Sequence, residues 1–253
     1  MSLKAAIRDT SLSRPTTQRC GHAAGPTSAS ASMGRGQAKN PNVGGENMDA
    51  GVEPQRIDPK VQALISAQQF HPHLLVIETD RLRLRRLVMA DLDALAALYA
   101  DPEVRRYFPD GTQTYEQTRE ELEWVIKVYY GQYGYGLWAT ILKETGAFIG
   151  RCGLLPWEIG GRTEVEVAYL LDKGYWRRGL ATEAAGAIVA HAFSTLPVDR
   201  LICMFDPENE ASRSVAAKVG MTMLWDDYVD RYGPCHVYSI RRPPAYAGSA
   251  NAP

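Results

Sequence analysis

The residues with the clearest chemical potential form one short run, Gly174-Tyr175-Trp176-Arg177-Arg178-Gly179-Leu180-Ala181-Thr182-Glu183. It stands between an alternating stretch, TEVEVAYLL at Thr163–Leu171, and an apolar stretch with helical spacing, so it reads as a strand-to-helix turn. Gly179 permits close backbone approach. The first turn of a helix leaves N–H groups without intrahelical partners, and these can cradle a phosphate or pyrophosphate. Arg177 and Arg178 add charge near such an anion. The same residues would also make an ordinary turn with a solvent-facing arginine pair, and composition alone leaves both readings open. The run has neither GxGxxG spacing nor a Walker lysine, so neither a dinucleotide-binding unit nor a P-loop is supported.

Other chemistries find little footing. The four cysteines, Cys20, Cys152, Cys203 and Cys235, show no CxxC pair and no zinc spacing. With few thiols and no signal peptide, a reducing, cytoplasmic location is expected. Of the five histidines only His71-x-His73 is spaced like a metal pair, and no metal is expected. No Ser-His-Asp or Cys-His arrangement suggests a covalent route. No apolar run approaches the length of a membrane span, so a membrane partner is not expected.

The elements that must position these residues are unevenly distributed. All 23 aromatic residues lie from Phe70 onward, and Met1–Gln69 is rich in Ala, Gly, Ser, Thr, Pro and Asn. Such a segment buries too little apolar area to offset its ordering entropy. The expected organisation is a disordered tail over 1–56, a short helix and linker over 57–75, one domain over 76–242 and a flexible tail over 243–253. Charge divides similarly: Met1–Leu75 carries +3 and Val76–Pro253 carries −4. A mildly acidic domain disfavours dedicated nucleic-acid binding.

Within the domain, Ile77–Val88 alternates Leu82, Leu84 and Leu87 with arginines and reads as one half-buried strand with a slight break near its end. Asp91 precedes a helix carrying Leu92, Leu95 and Leu98 inward, and Thr114–Tyr129 is a second helix. Strands Gly134–Ile141 and Ala147–Pro156 flank a turn in which Gly146 suits a positive φ. A strand over Thr163–Leu171, a helix over Trp176–Phe193, a strand over Asp199–Phe205, a helix over Glu208–Val219 and a last hairpin (Met223–Val229, Cys235–Arg241) complete the order β-α-α-β-β-β-α-β-α-β-β. Hairpins beside a βαβ crossover predict an α/β fold with a mixed sheet.

The run VEVAYLLDKGYWRRGLATEA at Val165–Ala184 resembles the acyl-CoA-binding motif of the GCN5-related N-acetyltransferases, and most resembles the branch containing the ribosomal-protein alanine acetyltransferases. TDRLRLRRL at Thr79–Leu87, the Gly150-containing FIGRCGLL and DPENEASRSVAAKVGM at Asp206–Met221 resemble further family segments in the same order. The resemblance implies a single acyl-CoA N-acyltransferase domain with a splayed central sheet. Acetyl-CoA would be the co-substrate, and a primary amine or peptide N-terminus would be the acceptor.

The resemblance further implies that the diphosphate arm meets the backbone of Arg177, Arg178, Gly179, Leu180, Ala181 and Thr182. The pantetheine would run beside Tyr169, Leu170 and Leu171, with Asn209 and Ser212 close by. Glu166 matches the family's strand glutamate and is the expected base, with Glu164, two residues earlier on the same face, second. A carboxylate there could instead be a structural partner of an arginine. Tyr169 would be a pocket or core aromatic that could also donate to the thioester. Trp176 and Ala168 replace the residues more usual at their positions, and Ala216 stands where many members carry a tyrosine acid, so thiolate reprotonation would fall to another group or to water. Arg105, Tyr107, Phe108, Trp138, Trp157, Asp226, Asp227 and Tyr228 are expected to line the acceptor groove. A noncatalytic acyl-CoA sensor would keep the anion site without needing a base. A nucleotide-dependent transferase would need a metal-binding carboxylate cluster, and none is evident. Monomer and homodimer are both compatible with the sequence.

Overall fold

The computed structural model describes residues 74–230 and 233–246. The expected tail over 1–56, the helix proposed at Ile57–Phe70 and the His71-x-His73 pair lie outside the described residues.

The strand signals condense into one mixed eight-stranded sheet in the order β1-β2-β3-β4-β5-β6-β8-β7. The strands are β1 Leu75–Glu78, β2 Leu82–Arg86, β3 Leu137–Leu142, β4 Phe148–Ile159, β5 Arg162–Leu171, β6 Arg200–Phe205, β7 Thr222–Asp230 and β8 Gly233–Arg241. All neighbours pair antiparallel except β5 and β6, which run parallel and register at a single pair, Glu166 with Ile202. The mixed, splayed α/β fold expected from the sequence is therefore observed.

Two local departures have clear causes. Ile77–Val88 is not continuous: Thr79-Asp80-Arg81 turns the chain, and β1 folds back antiparallel onto β2. Thr79 fixes that turn, its backbone N–H reaching the carbonyl of Leu82 and its hydroxyl accepting from the Leu82 N–H. The long helix begins at Leu180, four residues later than expected, because Arg177 (φ 60°) and Gly179 (φ 76°) adopt left-handed backbone that cannot continue a right-handed helix.

Helices cover both sheet faces. On one, α1 (Leu92–Ala100) and α2 (Tyr115–Trp124) lie over Leu137, Ala139, Leu155, Ala168 and Leu170. Asp91 starts α1 through a buried bidentate pair with Arg85 (2.7 and 2.6 Å) and by accepting from the Val88 N–H. Thr114 and Gln117 close α2 with a reciprocal capping box. The chain then widens into a π-helical stretch, Val125–Tyr133, and leaves it at Gly134 (φ 75°). On the other face, α3 (Leu180–Thr195) inserts Leu180, Ala184, Ala185, Ile188, Ala192 and Phe193 into an almost entirely apolar core. The fourth helix, α4 (Glu210–Lys218), buries Ala216 there. Beyond β8, Pro244–Tyr246 forms a 3₁₀ turn whose Tyr246 ring lies 6.0 Å from that of Phe193. Among the described residues no helix is long and apolar enough to cross a membrane.

Candidate functional site

Strand β5 is the axis of the site. Period-two alternation aims Glu164, Glu166, Ala168 and Leu170 to one face. Antiparallel register sets Leu170 beside Arg151, Ala168 beside Gly153, Glu166 beside Leu155 and Glu164 beside Trp157 of β4. The close fit of the two strands depends on Gly150, where a Cβ would fall 2.2 Å from the Leu170 carbonyl oxygen.

A cleft of about 390 Å³ opens on this face. Its walls come from the loop after α1 (Arg105, Tyr107, Phe108), from Glu121 of α2, from Arg151 and Trp157 of β4, and from β5, β6, the start of α4 and the start of β8. Of the expected site residues, Glu166, Tyr169, Leu170, Asn209 and Ser212 line this one cleft. Leu171 and the Arg177–Thr182 turn do not line it, and lie further along the chain past the end of β5.

The two carboxylates are held differently. Glu166 lines the cleft, and its Oε2 accepts the indole N–H of Trp157 at 2.6 Å. Glu164 is engaged by both sides of the Arg200 guanidinium, with Nε at 2.9 Å and Nη2 on the other oxygen, and does not line the cleft. Arg200 in turn lies over the Trp225 ring, so Glu164 joins β5 to β6 and the last hairpin. Tyr169 bridges the splay: its hydroxyl donates to the Ser212 carbonyl at 2.9 Å and accepts from the Cys203 thiol. Burial pushes the Tyr169 hydroxyl far above the usual phenol range. Burial, followed by the charge of Glu166, pushes the Cys203 thiol up to about 12. Asn209 caps α4 by accepting from the Ser212 N–H at 3.0 Å.

The start of α3 is the second part of the site. Gly179 is the N-cap, and no side chain caps the helix, so its leading N–H groups are left for an outside partner. The turn is instead braced by Glu183, the last residue of the motif run, against Thr79 and Arg81, a pairing that the sequence reading had not assigned. Glu183 accepts from the Thr79 hydroxyl (2.6 Å), the Arg81 N–H (2.9 Å) and the Arg81 Nε (2.6 Å), while Arg81 also donates to the Arg178 carbonyl at 2.9 Å. Burial works to raise the Glu183 pKa, but these donors outweigh it and leave the carboxyl below its ordinary value. A backbone held in this shape, with Arg177 and Arg178 exposed beside it, suits a polyanionic ligand. Trp176 anchors the turn's other end through its indole N–H to the Leu171 carbonyl at 2.8 Å.

Among the residues expected at an acceptor groove, Arg105, Tyr107, Phe108 and Trp157 line the cleft. Trp138 does not. Alternation on β3 turns it to the α3 face, where it is fully buried edge-on against His191, 5.6 Å away. Tyr228 packs beside Trp225 in a small cluster on the last hairpin, Asp226 is exposed, and the Asp227 side chain lies outside those described. Among the described residues no group of His, Cys, Asp and Glu is arranged to hold a metal.

The comparisons with known proteins agree with this geometry. Residues 81–222 match the family described as the acetyltransferase (GNAT) domain, and the chain belongs to that family. The protein YkkB of Bacillus subtilis is 38% identical over 144 residues, covering 56% of this chain and 83% of its own. The uncharacterised N-acetyltransferase YoaA of the same organism is 28% identical over 174 residues, covering 66% and 97%. Among solved structures, an acetyltransferase from Agrobacterium tumefaciens shares 31% identity and a TM-score of 0.56 over 65% of this chain and 93% of its own. The ribosomal L7/L12 α-N-protein acetyltransferase RimL, solved with coenzyme A, aligns at 16% identity and a TM-score of 0.54, over 66% and 97% of the two chains, which is a likeness of fold. The chain thus carries an acetyltransferase domain that transfers an acyl group to an amine.

Proposed function

We infer that this protein transfers the acetyl group of acetyl-CoA to a primary amine, on a small molecule or at a peptide N-terminus, by direct attack within a ternary complex. The observation that carries the reading is the convergence of a carboxylate, Glu166, with a parallel strand pair that parts after one register position, all in one cleft. Acetyl-CoA takes its diphosphate at the uncapped start of α3, over Arg177–Thr182, and its pantetheine beside Tyr169–Leu171. Asn209 and Ser212 border that path. The amine must be neutral to attack, and Glu166 draws off its proton directly or through a water. Trp157 steadies the carboxylate. A backbone donor near the splay meets the developing oxyanion. The hydroxyl of Tyr169 is spent on the Ser212 carbonyl, so we assign it to holding the splay open and leave thiolate reprotonation to water. Glu164, committed to Arg200, serves the sheet.

Likeness of the Val165–Ala184 motif to the ribosomal-type branch keeps peptide N-termini among the acceptors, and cysteine usage supports a cytoplasmic setting. The test is a panel of amines and peptides, read by release of CoA from acetyl-CoA, beside direct titration of acetyl-CoA. Turnover with at least one amine is expected. Tight acetyl-CoA binding with no turnover across the panel would favour a sensor instead.

A further inference from the structure

Arg151 stands out among the buried charges. Its residue exposure is 6%, yet among the described residues it lies in no ion pair, and of the five N–H donors of a guanidinium only Nε–H has a partner there, the Tyr99 hydroxyl at 3.0 Å. The guanidinium carbon lies 5.8 Å from the centroids of both Tyr99 and Phe108, and the side chain lines the cleft. The remaining donors are not sealed off: no Arg151 nitrogen is among the buried side-chain atoms left without a partner, so they open on the cleft, where water or a ligand answers them.

The surrounding groups, Tyr99 and Glu121 chief among them, offset the burial of the charge, but they bond only Nε–H and leave the other donors to the cleft. Glu121, 3% exposed, reaches Arg151 only through the Tyr99 hydroxyl, which donates to its Oε1 at 3.0 Å, and its Oε2 accepts from Gln113 at 2.7 Å. Arg105 lies over the same two rings, 5.0 and 4.3 Å from their centroids, but is itself bound to Asp110 and the Gly111 carbonyl. Arg151 and Glu166 share a sheet face. Arg151 registers with Leu170 and Glu166 with Leu155, and the small pair Gly153–Ala168 lies between them. Four strand residues place their Cα atoms about 13 Å apart.

We propose that Arg151 binds a carboxylate of the acceptor, so that the substrate class is a small amine bearing an acid group, its nitrogen at Glu166 and its carboxylate at the guanidinium. A planar guanidinium with free parallel donors is the natural mate of a carboxylate. The cleft of about 390 Å³ must also take the thioester end of acetyl-CoA beside Tyr169 and Leu170, which leaves room for a small acceptor. The inference rests on the acetyl-transfer reading and adds to it the acceptor's second charge.

The test compares matched pairs of acceptors, a series of α- and ω-amino acids against their primary amides, with the full-length protein. CoA release gives kcat and KM, and calorimetric titration into CoA-loaded protein gives binding independently of turnover. Charged hydrogen bonds of this kind lead us to expect at least one acid to bind about 10–100-fold more tightly than its amide. Arg151→Gln should bring that ratio close to one by raising KM, with kcat and acetyl-CoA affinity retained, and Arg151→Lys should restore part of it. Equal binding of every acid and amide by the wild-type protein overturns the proposal without recourse to any variant. So does a polyamine or uncharged peptide N-terminus outrunning every acid, or an acid preference that survives in a folded Arg151→Gln. Acid-selective binding with no CoA release would support the carboxylate site and count instead against the transfer reading.

Discussion

The two faces of the sheet are built to opposite rules. Under α3 the core is apolar but for the fully buried Thr140, with Ile188, Ala192 and Phe193 wholly buried and their other strand neighbours nearly all hydrocarbon. Under α1 and α2 lie Arg85, Asp91, Arg105, Gln113, Thr118, Glu121, Arg151 and Glu166, all buried. Dry packing contributes in proportion to the area removed from water. Buried charged groups carry a desolvation cost that their pairing often does no more than recover. The comparison teaches that one face supplies the stability and the other spends part of it to fix charges around a cleft.

The comparison can be broken or sharpened by experiment. The largest effect on stability belongs to the dry face. Phe193→Ala should cost about 3–5 kcal/mol in a denaturant melt, and a loss near zero would contradict the division. On the wet face, Glu166→Gln should lower kcat by roughly 10²–10⁴-fold while acetyl-CoA affinity and the melting temperature hold. Unchanged turnover would remove Glu166 as the base. Glu164→Gln should do the reverse, costing about 3 kcal/mol by stranding Arg200 and leaving turnover per folded molecule within a few-fold. Gly179→Glu should abolish acetyl-CoA binding, because it sets a side chain at φ 76° and a negative charge at the start of α3; an unaltered titration would displace the anion site. The smallest effect is a pH dependence. The Glu183 carboxyl sits below its ordinary value of 4.5, so its stabilisation is present above that value and is lost as pH falls through the lowered one. The stability difference between the protein and Glu183→Gln should therefore be constant near neutrality and shrink below pH 4.5.

How much of this was legible in the sequence depends on how local each feature is. The strand over Thr163–Leu171 and the turn at Gly146 follow from neighbouring residues and stand as read, and the α2 cap, Thr114 with Gln117 three residues on, is equally local although it was not read. The turn at Thr79-Asp80-Arg81 left a local signal, since Thr and Asp favour turns, but the arginine–leucine alternation beyond it masked the break. The late start of α3 was also written locally, in Gly179. By contrast, Arg151, Tyr99 and Glu121 come from three separate elements, and nothing in any one segment marks them as neighbours. Trp138 was misread for the same reason: a tryptophan reads alike as pocket wall or core until strand register assigns its face. The unequal fates of Glu164 and Glu166 turn on Arg200 and Trp157, one from β6 and one from β4.

The lone register pair between β5 and β6 has a consequence for the protein's response to its co-substrate. A sheet that parts after one rung has an edge in its interior, and an extended ligand that fills it completes the ladder. Occupancy should then act as a mechanical staple across the middle of the domain. Amide protons along the ends of both strands should exchange slowly with acetyl-CoA present and freely without it. The unfolding temperature should climb with the logarithm of ligand concentration, by an amount worth about 2.7 kcal/mol at a hundred times Kd.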